Sequence, residues 1–114
     1  MKHEMKKVSK IIDEMTTYGL KNGAEEIEIK IKNTPDYFKL QFVFKKIQIS
    51  ASDYGELIKA LKVPRQMEIE EYCWELAGEN DLDLGTNLIG TMTDEVKIEQ
   101  EEDSLMIELF RYKN

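Results

Sequence analysis

The sequence predicts an α+β fold, a two-layer α/β sandwich in which helices cover one face of a mixed or antiparallel sheet, in the order α-β-β-α-α-α-β-β. Three observations predict it. Two pairs of short segments, one near each end, alternate apolar and polar residues, as half-buried strands do. The segments before and between them repeat apolar residues at helical spacing. The chain has 114 residues, enough for a single domain with one core. Strands with only one apolar face need a cover, and the helices are the only candidates.

The first element is a helix. Met5, Val8, Ile11, Ile12, Met15, Tyr18 and Gly19 form one apolar stripe, and Lys6, Lys7, Lys10 and Lys21 mostly take the other side. Asn22-Gly23 stops it, because glycine tolerates the left-handed conformation at a helix end. "EEIEIKIK" then alternates, with Ile27, Ile29 and Ile31 facing one way and Glu28, Lys30 and Lys32 the other. "NTPD" is a turn. Phe38, Leu40, Phe42 and Phe44 alternate on the second strand of this hairpin. At Lys45-Lys46 the parity flips, so Ile47 and Ile49 require a bulge or a break there.

Ser52 or Asp53 caps a helix through about Lys62, with Glu56 three residues after Asp53 in a capping-box arrangement. After Pro64 a further helix runs from about Arg65 to Ala77. Ile69, Tyr72, Cys73 and Leu76 form its inner face, and Glu68, Glu70, Glu71 and Glu75 its solvated outer face. Gly78 ends it, "ENDLD" is a loop, and Leu84 to about Thr93 is another core helix. Val96–Gln100 and Leu105–Arg111 are strands joined by "EEDS".

Composition excludes several functions. The formal net charge is −7, so nucleic-acid phosphates and anionic membranes are disfavoured. Cys73 is the one cysteine and His3 the one histidine, which leaves no disulfide framework, no cysteine zinc site and poor prospects for a histidine-based nucleophilic site. "MKHEMKKVSKIIDEM" lacks the apolar region of a signal peptide. No segment approaches the roughly 18 consecutive apolar residues of a membrane span. A cytoplasmic location is expected.

"LIGTMTDEVKIEQEEDSLMIEL" resembles the C-terminal part of the histidine-kinase-like ATPase fold, above all the anti-sigma-factor serine kinases, in which a glycine-led helix ends in Asp-Glu-Val and runs into the final hairpin. "DEMTTYGLKNGAEEIEIKI" is similar to that family's N-box helix, Glu-Leu-x-x-Asn-Ala-x-x-His-Gly, and the element order between the two blocks matches. The resemblance implies an ATP and Mg²⁺ site and puts Glu14 at the position of the base. Tyr18 then stands where the family has its Mg²⁺-binding asparagine, and Asn22 where it has histidine. The second box, Asp-x-Gly-x-Gly, has no aspartate near Phe44-Lys45. Asp53 and Gly55 offer Asp-x-Gly about nine residues later. The third box, Gly-x-Gly, reads Asp83 and Gly85, and an aspartate repels the phosphates that backbone amides would hold there.

The same residues have plainer readings. Glu14 is a solvated helix residue paired with Lys10. Tyr18 belongs to the core, Asp53 is a helix cap, and Gly85 starts a helix. Trp74 is either an interaction anchor or a half-buried lid on the core edge. Three functions remain open. The impaired boxes favour a degenerate, non-catalytic module without cofactor that regulates or scaffolds by binding a protein. The second is a working kinase with ATP and Mg²⁺. The third is a homo-oligomer formed through a sheet edge or through the last strand, where Leu105, Ile107 and Leu109 face one side and Met106 and Phe110 the other.

Overall fold

The structure, a computed structural model, describes residues 3–68, 70–71 and 89–113. Its elements are α1 (Glu4–Lys21), β1 (Glu26–Asn33), β2 (Tyr37–Lys45), α2 (Ala51–Leu61), β3 (Glu95–Glu101) and β4 (Ser104–Tyr112). Residues 67, 68, 70 and 71 are helical, as are residues 89–91, on the segments where the sequence predicts the third and fourth helices. The helix expected after Pro64 from about Arg65 has its first helical residue at Met67. The rest of those two helices, with Ile69, Tyr72, Cys73, Trp74, Glu75, Leu76, Gly78 and the loop to Gly85, lies outside the described residues.

The strands form one antiparallel sheet in the order β1-β2-β4-β3. Phe38, Leu40, Phe42 and Phe44 of β2 are buried, as are Leu105, Ile107 and Leu109 of β4. They join Val8, Ile11 and Met15 of α1 and Leu57 and Leu61 of α2 in one cluster. The alternate residues on both central strands are only half-buried, so the helices cover a single face. The last strand, apolar on both faces, lies centrally between β2 and β3.

Local chemistry sets the boundaries. Asn22 caps α1, and Gly23 has φ +83°. Ala24 N–H donates to Gly19 C=O at 3.0 Å and Gly23 N–H to Leu20 C=O at 3.2 Å, the Schellman pattern that satisfies the last carbonyls. Thr34 closes the first hairpin with its backbone N–H and its hydroxyl, both donating to Tyr37 C=O at 2.9 Å. At the parity flip the chain breaks: Lys46 takes φ +61°, and Ile47 is buried with its N–H donated to Asp103 C=O at 3.0 Å. The helix cap differs from expectation. Ser50 is the N-cap of α2, accepting from Asp53 N–H at 3.1 Å, and Asp53 lies in the first turn, where its charge suits the helix dipole. Met5 also departs from the apolar stripe and is exposed, because the buried line runs through Val8, Ile11, Met15 and Gly19.

Below the core lies a buried ionic cluster. Arg111 continues the inward parity of Leu105, Ile107 and Leu109, and it is 1% exposed. Glu70, which the sequence puts on a solvated face, is also 1% exposed, because it answers that charge. Its Oε1 accepts from Arg111 Nη1 at 2.9 Å and Arg65 Nε at 3.2 Å, and its Oε2 from Arg111 Nη2 at 2.7 Å and Lys7 Nζ at 2.8 Å. Arg111 also donates to both oxygens of Glu4, at 2.8 and 2.7 Å, and to Met92 C=O at 2.7 Å. Lys7 pairs further with Glu71. Burial alone would raise the Glu70 carboxyl. Hydrogen bonds from Arg111 and Lys7 and the charges of Arg111 and Arg65 outweigh it and hold the pKa at about 2.

Two expectations can be measured. Added to Gly19, a Cβ would sit 2.5 Å from two carbons of the Phe44 ring, whereas at Gly55, mid-helix in α2, it would meet nothing within 4 Å. In denaturant unfolding, Gly19→Ala is expected to cost about 1–3 kcal/mol by overpacking, and Gly55→Ala to add roughly 0.5–1 kcal/mol by improving helix propensity. The second concerns acid. Glu70's folded pKa lies below its ordinary 4.5, so its contribution is complete above that value and is lost as pH falls toward about 2, a difference of about 3 kcal/mol. Glu70→Gln should destabilise by roughly 3–5 kcal/mol at neutral pH, because it strands buried cations, and should flatten that part of the stability–pH curve. An unchanged acid slope in the variant would contradict the assignment.

Candidate functional site

Tyr18 and Asn22, one turn apart near the C-terminal end of α1, face Asp53, Glu56, Leu57 and Lys59 of α2 across an open cleft of about 560 Å³. Candidates from two parts of the sequence, Tyr18 with Asn22 and Asp53, therefore share one space. Their convergence follows from the register of α1. Its buried line against the sheet turns Lys7, Glu14 and Tyr18 to one flank, the flank beside α2 and the helical residues 70 and 71.

The remaining candidates do not enter the cleft. Glu14 lies one turn before Tyr18 but does not line it. It was expected to be solvated. It is 5% exposed instead, because it stands on the packed flank of α1, and the expected pair with Lys10 is present at 3.1 Å. Gly55 lies on the exposed side of α2. Gly85 and Trp74 lie outside the described residues, as does Asp83.

The chemistry of the cleft is acidic and poorly suited to phosphates. Asp53 and Glu56 present two carboxylates beside the single ammonium of Lys59. Asn22 Nδ2 donates to Tyr18 C=O of its own helix at 2.8 Å. Tyr18 is half-buried, and its hydroxyl is buried with no hydrogen-bond partner among the described residues. Burial raises its pKa, and the nearby charge of Asp53 raises it further, so the phenol stays protonated. Among the described residues no three or more His, Cys, Asp or Glu side chains are grouped to hold a metal ion. Likewise no helix among them is long and apolar enough to cross a membrane.

Among the described residues the largest assembly of charged side chains lies elsewhere and carries no motif in the sequence. Lys7, Arg65, Glu70 and Arg111 build the cluster beneath the core, and Asp94 extends it by accepting from Arg65 Nη1 at 2.8 Å and Tyr112 N–H at 2.7 Å. One signal was available: Arg111 shares the parity of Leu105, Ile107 and Leu109, which places a cation on the core face and calls for a carboxylate opposite. Both carboxylate oxygens of Glu70 are occupied, whereas Arg65 Nη2 is buried with no hydrogen-bond partner among the described residues.

Compared with protein-family models, with curated proteins and with solved structures, the chain matches none of them.

The Tyr18 hydroxyl gives a direct probe. A buried hydroxyl without a partner costs desolvation and returns nothing. Tyr18→Phe is expected to leave the melting temperature unchanged or to raise stability by about 1 kcal/mol. A clear loss would mean that the hydroxyl holds a structural hydrogen bond.

Proposed function

We propose that the chain is a non-catalytic module built on a degenerate histidine-kinase-like ATPase fold, and that it works in the cytoplasm by binding another protein, as a regulator or scaffold. One observation carries the reading. Tyr18, which the resemblance aligns with the family's Mg²⁺-binding asparagine, lines the cleft between α1 and α2, where Asp53 and Glu56 face it. A tyrosine is a poor substitute for a neutral amide oxygen as a Mg²⁺ ligand, and two carboxylates on the facing helix disfavour a polyphosphate. Glu14, at the position of the family's base, is ion-paired with Lys10. The net charge of −7 speaks against nucleic acid as the partner.

A second reading, an ATP-binding serine kinase with unusual boxes, draws support from the meeting of Tyr18, Asn22 and Asp53 in one cleft. The two readings differ in nucleotide binding. Under the first, ATP or ADP with Mg²⁺ leaves the melting curve in place, and the pure protein releases no phosphate. A ligand at one hundred times its Kd adds roughly 2.7 kcal/mol. A nucleotide shift of that order, with Mg²⁺-dependent turnover abolished by Glu14→Ala, would replace the module with the kinase.

A further inference from the structure

The sheet has two edges, and they differ. On the β1 edge, Ile29 and Ile31 are 40% and 54% exposed, although they share the face of the core. Beside them, the flank of α1 turned away from α2 carries Ile12, Thr16 and Leu20, and Leu20 is exposed. β1 has no proline, and its register with β2 runs without a bulge from Glu26 to Asn33. The usual devices that blunt an edge are missing, apart from its charges.

Those charges have an order. Along Glu26-Ile27-Glu28-Ile29-Lys30-Ile31-Lys32, reversing the strand and inverting each sign returns the same pattern. Two such strands laid antiparallel about Ile29 set Glu26 against a lysine at position 32 and Glu28 against one at position 30. They set isoleucine against isoleucine at every odd position. Lysines on an edge normally repel a second like strand; here each meets a glutamate.

The backbone agrees with this register. Thr34 N–H donates to Tyr37 C=O, so with the uninterrupted pairing the residues bonded toward β2 are Glu26, Glu28, Lys30 and Lys32. The N–H and C=O groups of Ile27, Ile29 and Ile31 therefore point outward from the free edge. These are the residues that an axis through Ile29 would join in hydrogen-bonded pairs. Glu28 and Lys30 would then fall at the closer, non-hydrogen-bonded positions, where cross-strand side chains interact best. The other edge fails the same test: β3 carries Glu95, Lys97, Glu99 and Glu101, three acids to one base, and its Val96 and Ile98 are half-buried by the protein itself.

We propose that β1 is the docking edge for a second copy of this chain, paired antiparallel about a two-fold axis at Ile29, so that two four-stranded sheets become one of eight. Ile27 then pairs with the partner's Ile31, and Ile29 with the partner's Ile29, covering apolar surface that the helices leave open. Glu26 and Glu28 meet the partner's Lys32 and the partner's Lys30. The interface is isologous and closed, so it stops at two copies. It does not depend on the cleft between α1 and α2, and nucleotide binding there neither supports nor opposes it.

The test is size-exclusion chromatography with light scattering on the full chain, with circular dichroism to confirm folding of each variant. The wild type is expected at twice its 13.4 kDa mass. Ile29→Lys sets two ammonium groups face to face on the axis and should give monomer. Two charge variants are independent of that site. Lys30→Glu with Lys32→Glu makes an all-acidic strand, and Glu26→Lys with Glu28→Lys an all-basic one. Each alone should be monomeric, and a mixture of the two should recover a dimer. A monomeric wild type at sub-millimolar concentration would overturn the proposal. So would a dimer that survives Ile29→Lys, or charge variants that each still dimerise alone.

Discussion

The buried contact between Arg111 and Glu70 is the constraint on which the arrangement of this protein turns. A guanidinium at the end of a central strand, on the face that must be covered by helices, cannot stay there without a carboxylate and further acceptors. Glu70 supplies the carboxylate, Met92 a carbonyl, and Glu4 closes the remaining donors from the first turn of α1. Lys7 then binds the same Glu70. Segments distant in sequence are thereby tied at one point beneath the core. Removing one partner strands the others in a place where water cannot compensate.

That tie fixes one end of α1 and close packing fixes the other. Glu4 is held at Arg111, at the end of β4, while Gly19 lies against Phe44 and Ile27 near the top of β2 and β1. A larger side chain at Gly19 would lift the helix away. Between these anchors α1 crosses the sheet on a diagonal. One flank, with Lys7, Glu14 and Tyr18, turns toward α2 and leaves the cleft between them. The other leaves the lower part of β1 uncovered, with Ile29 and Ile31 exposed. The proposed pocket and the proposed dimer edge are two consequences of one helix placement.

Much of the architecture was legible in the residues. Alternation marked the first hairpin, the parity change at Lys45-Lys46 marked the break, and Asn22-Gly23 marked the helix end. These are local signals, set by the period of each element and the φ that glycine tolerates. The errors share a different cause. Glu70 and Glu14 read as solvated because burial of an acid depends on what the fold brings beside it. Met5 fits a helical stripe, but α1 presents a narrower line to the sheet than its apolar residues span. Ser50, Ser52 and Asp53 can each cap a helix, and the choice of Ser50 depends on where the chain leaves the sheet. No local signal marks the cleft, which forms where Tyr18 and Asn22 at the end of α1 meet Asp53 of α2.

By itself the sequence determined the element types and most of their limits, the one-faced sheet and the charge order of β1, because periodicity and local backbone preference are properties of neighbouring residues. Only the tertiary structure decided that β4 is central, that Arg111 meets Glu70, that Asn22 turns its amide onto its own helix, and that β1 remains an open edge. Each of these depends on groups far apart in the chain competing for the same space and the same hydrogen bonds. That competition is settled by packing and desolvation across the whole domain.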